Sequence, residues 1–175
     1  MEKFVRFLFK IFRPVLFYIS MPLCTKFQYK CLRYLGVRFG QIPPRYLSAK
    51  VWFDGANYSS IVIGDGVTIS SNVRLLTHDW ALDTICDGIH MEGLDKIQRP
   101  IGRQVGIEIG DHSFVGTYVV VMPGTTIGKC CIVGAGAVVR GNIPNYSIVI
   151  GNPAKTISKN TQQYLEEYLN KSGCL

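Results

Sequence analysis

With 175 residues, 47% of them apolar, the chain can form one domain with a continuous core; its six cysteines lack the paired spacing of a metal knuckle or a small disulfide scaffold. The net charge of +7 is concentrated at one end: residues 1–50 carry ten Lys or Arg against Glu2 alone, and the rest of the chain carries nine against eleven acids. No helix-turn-helix, zinc finger or stacking platform accompanies that charge, which excludes a dedicated nucleic-acid binder.

Residues 1–35 read as a helical segment. Lys3, Arg6, Lys10 and Arg13 recur at three- and four-residue steps, so a helix gathers them into one stripe, while Phe4, Phe7, Leu8, Ile11 and Phe12 cover most of the rest. From Pro14 to Thr25 the chain is uncharged, but at about 1.5 Å per residue this run is too short for a bilayer core of roughly 30 Å. Ser20-Met21-Pro22 and Cys24-Thr25-Lys26 are poor signal-peptide cleavage sites. Two readings of the segment stay open. It is either a helix packing over the end of the main fold or on a neighbouring subunit, or an interfacial helix lying on anionic lipid with Phe inserted.

The next region is governed by a period of six. Ile63-Gly64, Ile69 and Leu75 open it, with Val67 and Val73 four residues after the first two. Between His78 and Gly106 the repeat lapses, and a long excursion inside a regular solenoid usually reaches over a functional surface. The period returns at Ile109-Gly110, Val115-Gly116, Val121, Ile127-Gly128, Val133-Gly134 and Val139, followed four residues later by Ser113, Val119, Thr125, Cys131, Ala137 and Ile143. Neither an amphipathic helix nor a simple strand has this period. A parallel β-helix does: each rung is a short strand plus a turn, the start residue points inward, and the following glycine is expected to bend the chain with φ > 0. Cys131 falls on an inward position and reads as a small core residue. Gly134-Ala135-Gly136 is spaced like the opening of a dinucleotide fingerprint, but Val139 occupies the third glycine position and no βαβ unit surrounds it. From Thr161, Tyr164, Leu165, Tyr168 and Leu169 share one helical face with Gly173 beyond its end, as in a helix that shields the last coil.

The chain resembles the hexapeptide-repeat acyltransferases, and within them the maltose, galactoside and polysaccharide O-acetyltransferases. The pieces that carry the likeness are Ile63-Gly64-Asp65-Gly66-Val67, Leu76-Thr77-His78-Asp79, Phe114-Val115-Gly116-Thr117 and Val121-Met122-Pro123-Gly124-Thr125-Thr126-Ile127-Gly128, then Val133-Gly134-Ala135-Gly136-Ala137-Val138 and Gly151-Asn152-Pro153-Ala154-Lys155. The resemblance implies a mainly β fold: a left-handed parallel β-helix with three rungs per coil over residues 36–157, followed by a C-terminal helix in 158–175. It implies a homotrimer, acetyl-CoA as co-substrate without a metal, and a loop, residues 79–105, that overhangs the acceptor site of the adjacent subunit.

It also implies roles for single residues. His78 matches the family's general base, and the chemistry asks for one, since a sugar hydroxyl attacks a thioester at neutral pH only if a neutral imidazole takes its proton. The other ring nitrogen needs an acceptor, for which Asp79, Asn57 or a backbone carbonyl is a candidate. His112 reads as a solvated turn residue, and His90 lies in the loop. Gly116, Gly134 and Ala135 leave a thin wall for an extended pantetheine, whose amides can pair with backbone groups. Thr117 aligns with a position on that arm, Lys155 with the basic residue near the adenosine phosphates, and Arg140 is placed to assist. No cysteine aligns with a family nucleophile. The expected reaction is direct acetyl transfer to a sugar or polysaccharide hydroxyl, with a backbone amide or polar side chain stabilising the oxyanion. An N-acetyltransferase of an amino sugar, nucleotide sugar or antibiotic is the alternative on the same fold. A hexapeptide-repeat carbonic anhydrase fits poorly because Thr117 stands where a second histidine would follow His112, and a scaffold without catalysis fits poorly with both His78 and Lys155 in place. The expected location is cytoplasmic, and on the interfacial reading of the N-terminal helix it is peripheral on the inner face of the membrane. The basic, apolar start favours a membrane-linked glycan as acceptor.

Overall fold

A computed structural model describes residues 1–54, 58–89 and 105–173. The six-residue period becomes three stacked columns of short parallel strands. The first column holds β1 (Arg38–Phe39), β4 (Ile61–Ile63), β7 (Ile107–Ile109), β10 (Thr126–Ile127) and β13 (Asn142–Ile143). The second holds β2 (Tyr46–Leu47), β5 (Thr68–Ile69), β8 (Phe114–Val115), β11 (Ile132–Val133) and β14 (Ser147–Ile150). The third holds β3 (Trp52–Phe53), β6 (Arg74–Leu75), β9 (Val120–Val121) and β12 (Val138–Val139). This is the parallel β-helix expected from the repeat. Each start residue pairs with its equivalent one coil away: Ile63 with Ile109 and Ile109 with Ile127 in the first column, Leu75 with Val121 and Val121 with Val139 in the third. These residues are fully buried, as are Val67, Val73, Val119 and Ala137 at the second inward position. Each buried Ile, Leu or Val among them contributes about 1.5–3 kcal/mol by leaving water. The polar inward residues satisfy themselves locally: Ser113 Oγ donates to Gly128 O at 2.7 Å, and Thr125 Oγ1 to Met122 O at 2.6 Å.

Two features depart from the reading of the repeat. A full coil, β1 to β3, precedes Ile63; Phe39, Leu47 and Phe53 are its starts, and the eight-residue step from Phe39 to Leu47 hides it from a search for sixes. The glycine after each start is not the residue with positive φ. That conformation falls two residues later, at Gly66 and Gly136 but also at His112, Tyr118 and Cys130. The glycine itself is required by the approach of the next coil: a Cβ on Gly110 would lie 2.6 Å from Gly128 C and 2.7 Å from Lys129 N. Stacking distance, not backbone conformation, fixes this column of glycines.

Two helices close the N-terminal end. α1 (Glu2–Ile19) runs through Pro14, and α2 (Met21–Tyr34) follows, capped by Ser20, whose Oγ accepts from Leu23 N. α2 covers the open edge of β2. Its Gln28 Nε2 donates to Leu47 O at 2.7 Å, and Thr25 Oγ1 accepts from Leu47 N at 3.3 Å, so the backbone of β2 is paired although it is the edge strand of its column. α1 rests on the third column through buried Phe9 and through Arg13, which donates to Val51 O at 3.3 Å. No described helix is long and apolar enough to cross a membrane.

At the other end the edge of β14 is covered by an antiparallel strand, β15 (Lys155–Asn160). α4 (Thr161–Ser172) follows, with a capping box between Asn160 and Gln163 and with Gly173 at φ 68° closing it. The helix expected to shield the last coil therefore does not do so: Tyr164, Leu165 and Tyr168 are exposed. A strand meets the bare N–H and C=O groups of an edge directly, which a helix cannot do.

Candidate active site

His78 sits three residues past Leu75, at the corner where the third column turns toward the first. One coil earlier the equivalent corner begins with Asp54, since Phe53 pairs with Leu75 and Asp54 N donates to Leu75 O. The buried Asp54 carboxylate is thereby aimed at the next turn. Its Oδ2 accepts from Thr77 N at 3.1 Å and from Thr77 Oγ1 at 2.7 Å, and it pairs with His78 Nδ1. With Nδ1–H donated to a carboxylate, the neutral imidazole keeps its lone pair on Nε2, the arrangement a base requires. The ring is partly exposed and lies beside Trp80, with centroids 5.2 Å apart.

The partner of His78 is thus a residue that the repeat did not point to. Asp79 is exposed, and its Oδ1 accepts from Ala81 N at 2.9 Å, at the start of α3 (Ala81–Gly88). Asn57 and His90 lie outside the described residues. Asp54 could have been found by aligning Phe53 on Leu75, which requires recognising the irregular first coil.

The insertion after His78 returns to its own root. Val105 N donates to Thr77 O at 2.9 Å, so both ends of the excursion meet at the His78 corner. Beside them lies a cavity of about 350 Å³ lined by Asp79, Leu82, Val105, Pro123, Gly124 and Arg140, among others. Arg140 therefore belongs to the His78 corner.

The other residues expected to meet the donor lie at a different corner, where the second column turns toward the third. Gly116-Thr117 follows β8, Gly134-Ala135 stacks on it after β11, and Lys155 opens β15 opposite Ile150 one layer further on. A Cβ on Gly116 would come within 2.7 Å of Ala135 N, whereas one on Gly136 would meet nothing within 4 Å. The corner is therefore tightly stacked inside, with Thr117, Tyr118, Ala135 and Lys155 exposed along it. The N–H groups of Gly116, Gly134 and Gly136 are already donated to Val133, Val149 and Thr117 carbonyls, so these three amides serve the stack. Cys131 is no nucleophile: it is buried, its Sγ donates to Pro144 O at 3.1 Å, and burial pushes its thiol pKa up.

Residues 106–141 match the family model described as bacterial transferase hexapeptide (six repeats). Over these residues the chain is similar to the bacterial hexapeptide-repeat transferases. The matched stretch contains the Gly116–Ala135 corner and Arg140, while Asp54, His78 and Lys155 lie outside it. Among similar proteins, the Mycobacterium tuberculosis protein named "Probable acetyltransferase Rv3034c" is 42% identical over 60% of this chain and 32% of its own length. The Escherichia coli "Putative lipopolysaccharide biosynthesis O-acetyl transferase WbbJ" is 34% identical over 59% of this chain and 53% of its own. The chain thus spans between about a third and about half of the length of these relatives. A crystal structure of a hexapeptide-repeat acetyltransferase from Vibrio cholerae, complexed with acetyl coenzyme A, has 28% identity and a TM-score of 0.53, covering 71% of this chain and 61% of that one.

Proposed function

We propose that the protein transfers an acetyl group from acetyl-CoA to a hydroxyl of a sugar or glycan, with His78 as general base. The observation that carries this reading is the Asp54–His78 pair, which holds Nδ1 and leaves Nε2 to act as the base on a partly exposed ring. The acceptor O–H gives its proton to Nε2, its oxygen attacks the thioester carbonyl carbon, and the C–S bond breaks as the tetrahedral intermediate collapses. Coenzyme A leaves as thiolate and takes a proton, directly from the imidazolium or from water. Asp54 stabilises the imidazolium formed on the way. The likeness to the acetyl-CoA-complexed Vibrio cholerae enzyme supports the donor, and the likeness to the Escherichia coli protein supports an oxygen acceptor on a glycan.

His78 and the Gly116–Lys155 wall occupy two different corners of one prism, with the third column of strands between them. A complete site therefore brings His78 of one subunit against the donor wall of the next, which is the reason for reading the active unit as a trimer. The test is incubation with acetyl-CoA and candidate glycans, read by mass spectrometry for added acetyl groups. Acetyl transfer by the wild type should fall about 10²–10⁴-fold in His78→Ala, the range for loss of a positioned base. A variant within about threefold of wild type under chemistry-limited conditions would remove His78 from this role.

A further inference from the structure

We infer that α1 is a membrane-docking helix whose outward face enters an anionic bilayer surface. The helix buries Phe9 against its own protein and leaves a second, larger apolar side facing outward. Its inward side carries Arg6, which ion-pairs with Glu2 at 2.7 Å and lies over the Tyr58 ring, and Arg13, which donates to Val51 O. Its outward side carries Phe4, Phe7, Ile11, Val15 and Tyr18, exposed by 62%, 57%, 44%, 50% and 83%. These positions follow the helical repeat and form one uncharged stripe along an 18-residue helix, about 27 Å in length. A contiguous apolar face of this size marks an interaction surface.

Charge decides what covers it. Lys3 and Lys10 are exposed along one margin of the stripe, and Lys26, Lys30 and Arg33 are exposed on α2. Glu2, the one acid among the first fifty residues, is engaged by Arg6. A second copy of this chain laid face to face would set lysine margins against each other with no acid to offset them. An anionic bilayer accepts both features at once: Phe and Ile enter the acyl boundary while Lys reaches the phosphates. The helix is too short in apolar content to span, so it lies in the interface. Because α1 rests on Val51–Phe53 and Asp54 follows directly, docking brings the coil that holds the His78 pair to the membrane surface.

The test uses the full chain with vesicles of phosphatidylcholine alone and of phosphatidylcholine mixed with phosphatidylglycerol. The protein should sediment with the anionic vesicles and not with the neutral ones, and binding should weaken as salt rises. The triple variant Phe4→Ser, Phe7→Ser, Ile11→Ser changes only exposed positions. It should lose binding by about tenfold or more while retaining its far-ultraviolet circular dichroism and its oligomeric state by light scattering. Equal binding by the variant, or no binding by the wild type, would overturn the proposal. A changed oligomeric state in the variant would assign the face to a protein neighbour and overturn it as well.

Discussion

Asp54 and His78 are hydrogen-bonded partners although 24 positions separate them, because successive coils stack corresponding corners. The carboxylate holds Nδ1, and Thr77 supplies two further donors that fix the carboxylate in turn. Asp54→Asn keeps the shape and removes the charge that meets a developing imidazolium. Turnover should fall by about 10²–10⁴ while the KM for acetyl-CoA stays within about twofold. A variant that loses donor affinity and turnover together, or that fails to fold, would make Asp54 a structural residue of the corner.

The β-helix was legible because Ile109, Val115, Val121 and their successors keep one period with inward side chains, and burial of that kind leaves a strict mark in sequence. The first coil was not, because Phe39, Leu47 and Phe53 break the step, and Asp54 was lost with it. His78 stood out by its place at the end of the first run of the repeat, where the period lapses. Its partner lies across a coil, and contacts between coils have no signature in local spacing. The orientation of α1 was also hidden: periodicity places Arg6 and Phe7 on different faces, but not which of the two meets the body.

Lys155 is exposed at the top of the glycine wall, and in the proposed function its ammonium is the point charge that meets a coenzyme A phosphate. An exposed ion pair is worth about 0–1 kcal/mol and a charge-assisted hydrogen bond roughly 1.5–3. Lys155→Ala should therefore weaken acetyl-CoA by several-fold to about a hundredfold, fading with salt, and should weaken a dephospho-CoA thioester less. Calorimetric titration of both ligands checks this. Equal weakening would assign the charge to a different phosphate or to structure.

Burial holds the Cys131 thiol above its ordinary pKa, so the folded chain keeps this proton longer than the unfolded one. Stability from this group is complete below the ordinary thiol value of about 8.5 and is lost as pH rises through the folded pKa. In Cys131→Ala that loss is absent, and the small side chain suits an inward position that Ala137 fills one rung later. Melting temperatures measured from about pH 7.5 to 10 should fall more steeply for the wild type than for the variant. Parallel slopes would show that the thiol does not contribute.

Glycine at the rung corner serves spacing, and positive φ is borne two residues later by ordinary side chains, so the two positions should respond differently to substitution. In Gly110→Ala the new methyl would meet Gly128 C at 2.6 Å and Lys129 N at 2.7 Å, both backbone atoms of the next coil that cannot rotate away. Overpacking of this kind costs about 1–3 kcal/mol, more than the roughly 0.4–1 kcal/mol gained by stiffening the unfolded chain. At His112, φ is +55°, where a side chain costs about 1–2 kcal/mol. His112→Gly relieves that cost but loosens the unfolded chain by a similar amount, so its net effect should be within about 1 kcal/mol. For a chain of this length the expected change in melting temperature is downward by up to roughly 10 °C for Gly110→Ala and no more than about 4 °C either way for His112→Gly. If His112→Gly proved the more damaging of the two, the assignment of glycine to spacing rather than to conformation would be wrong.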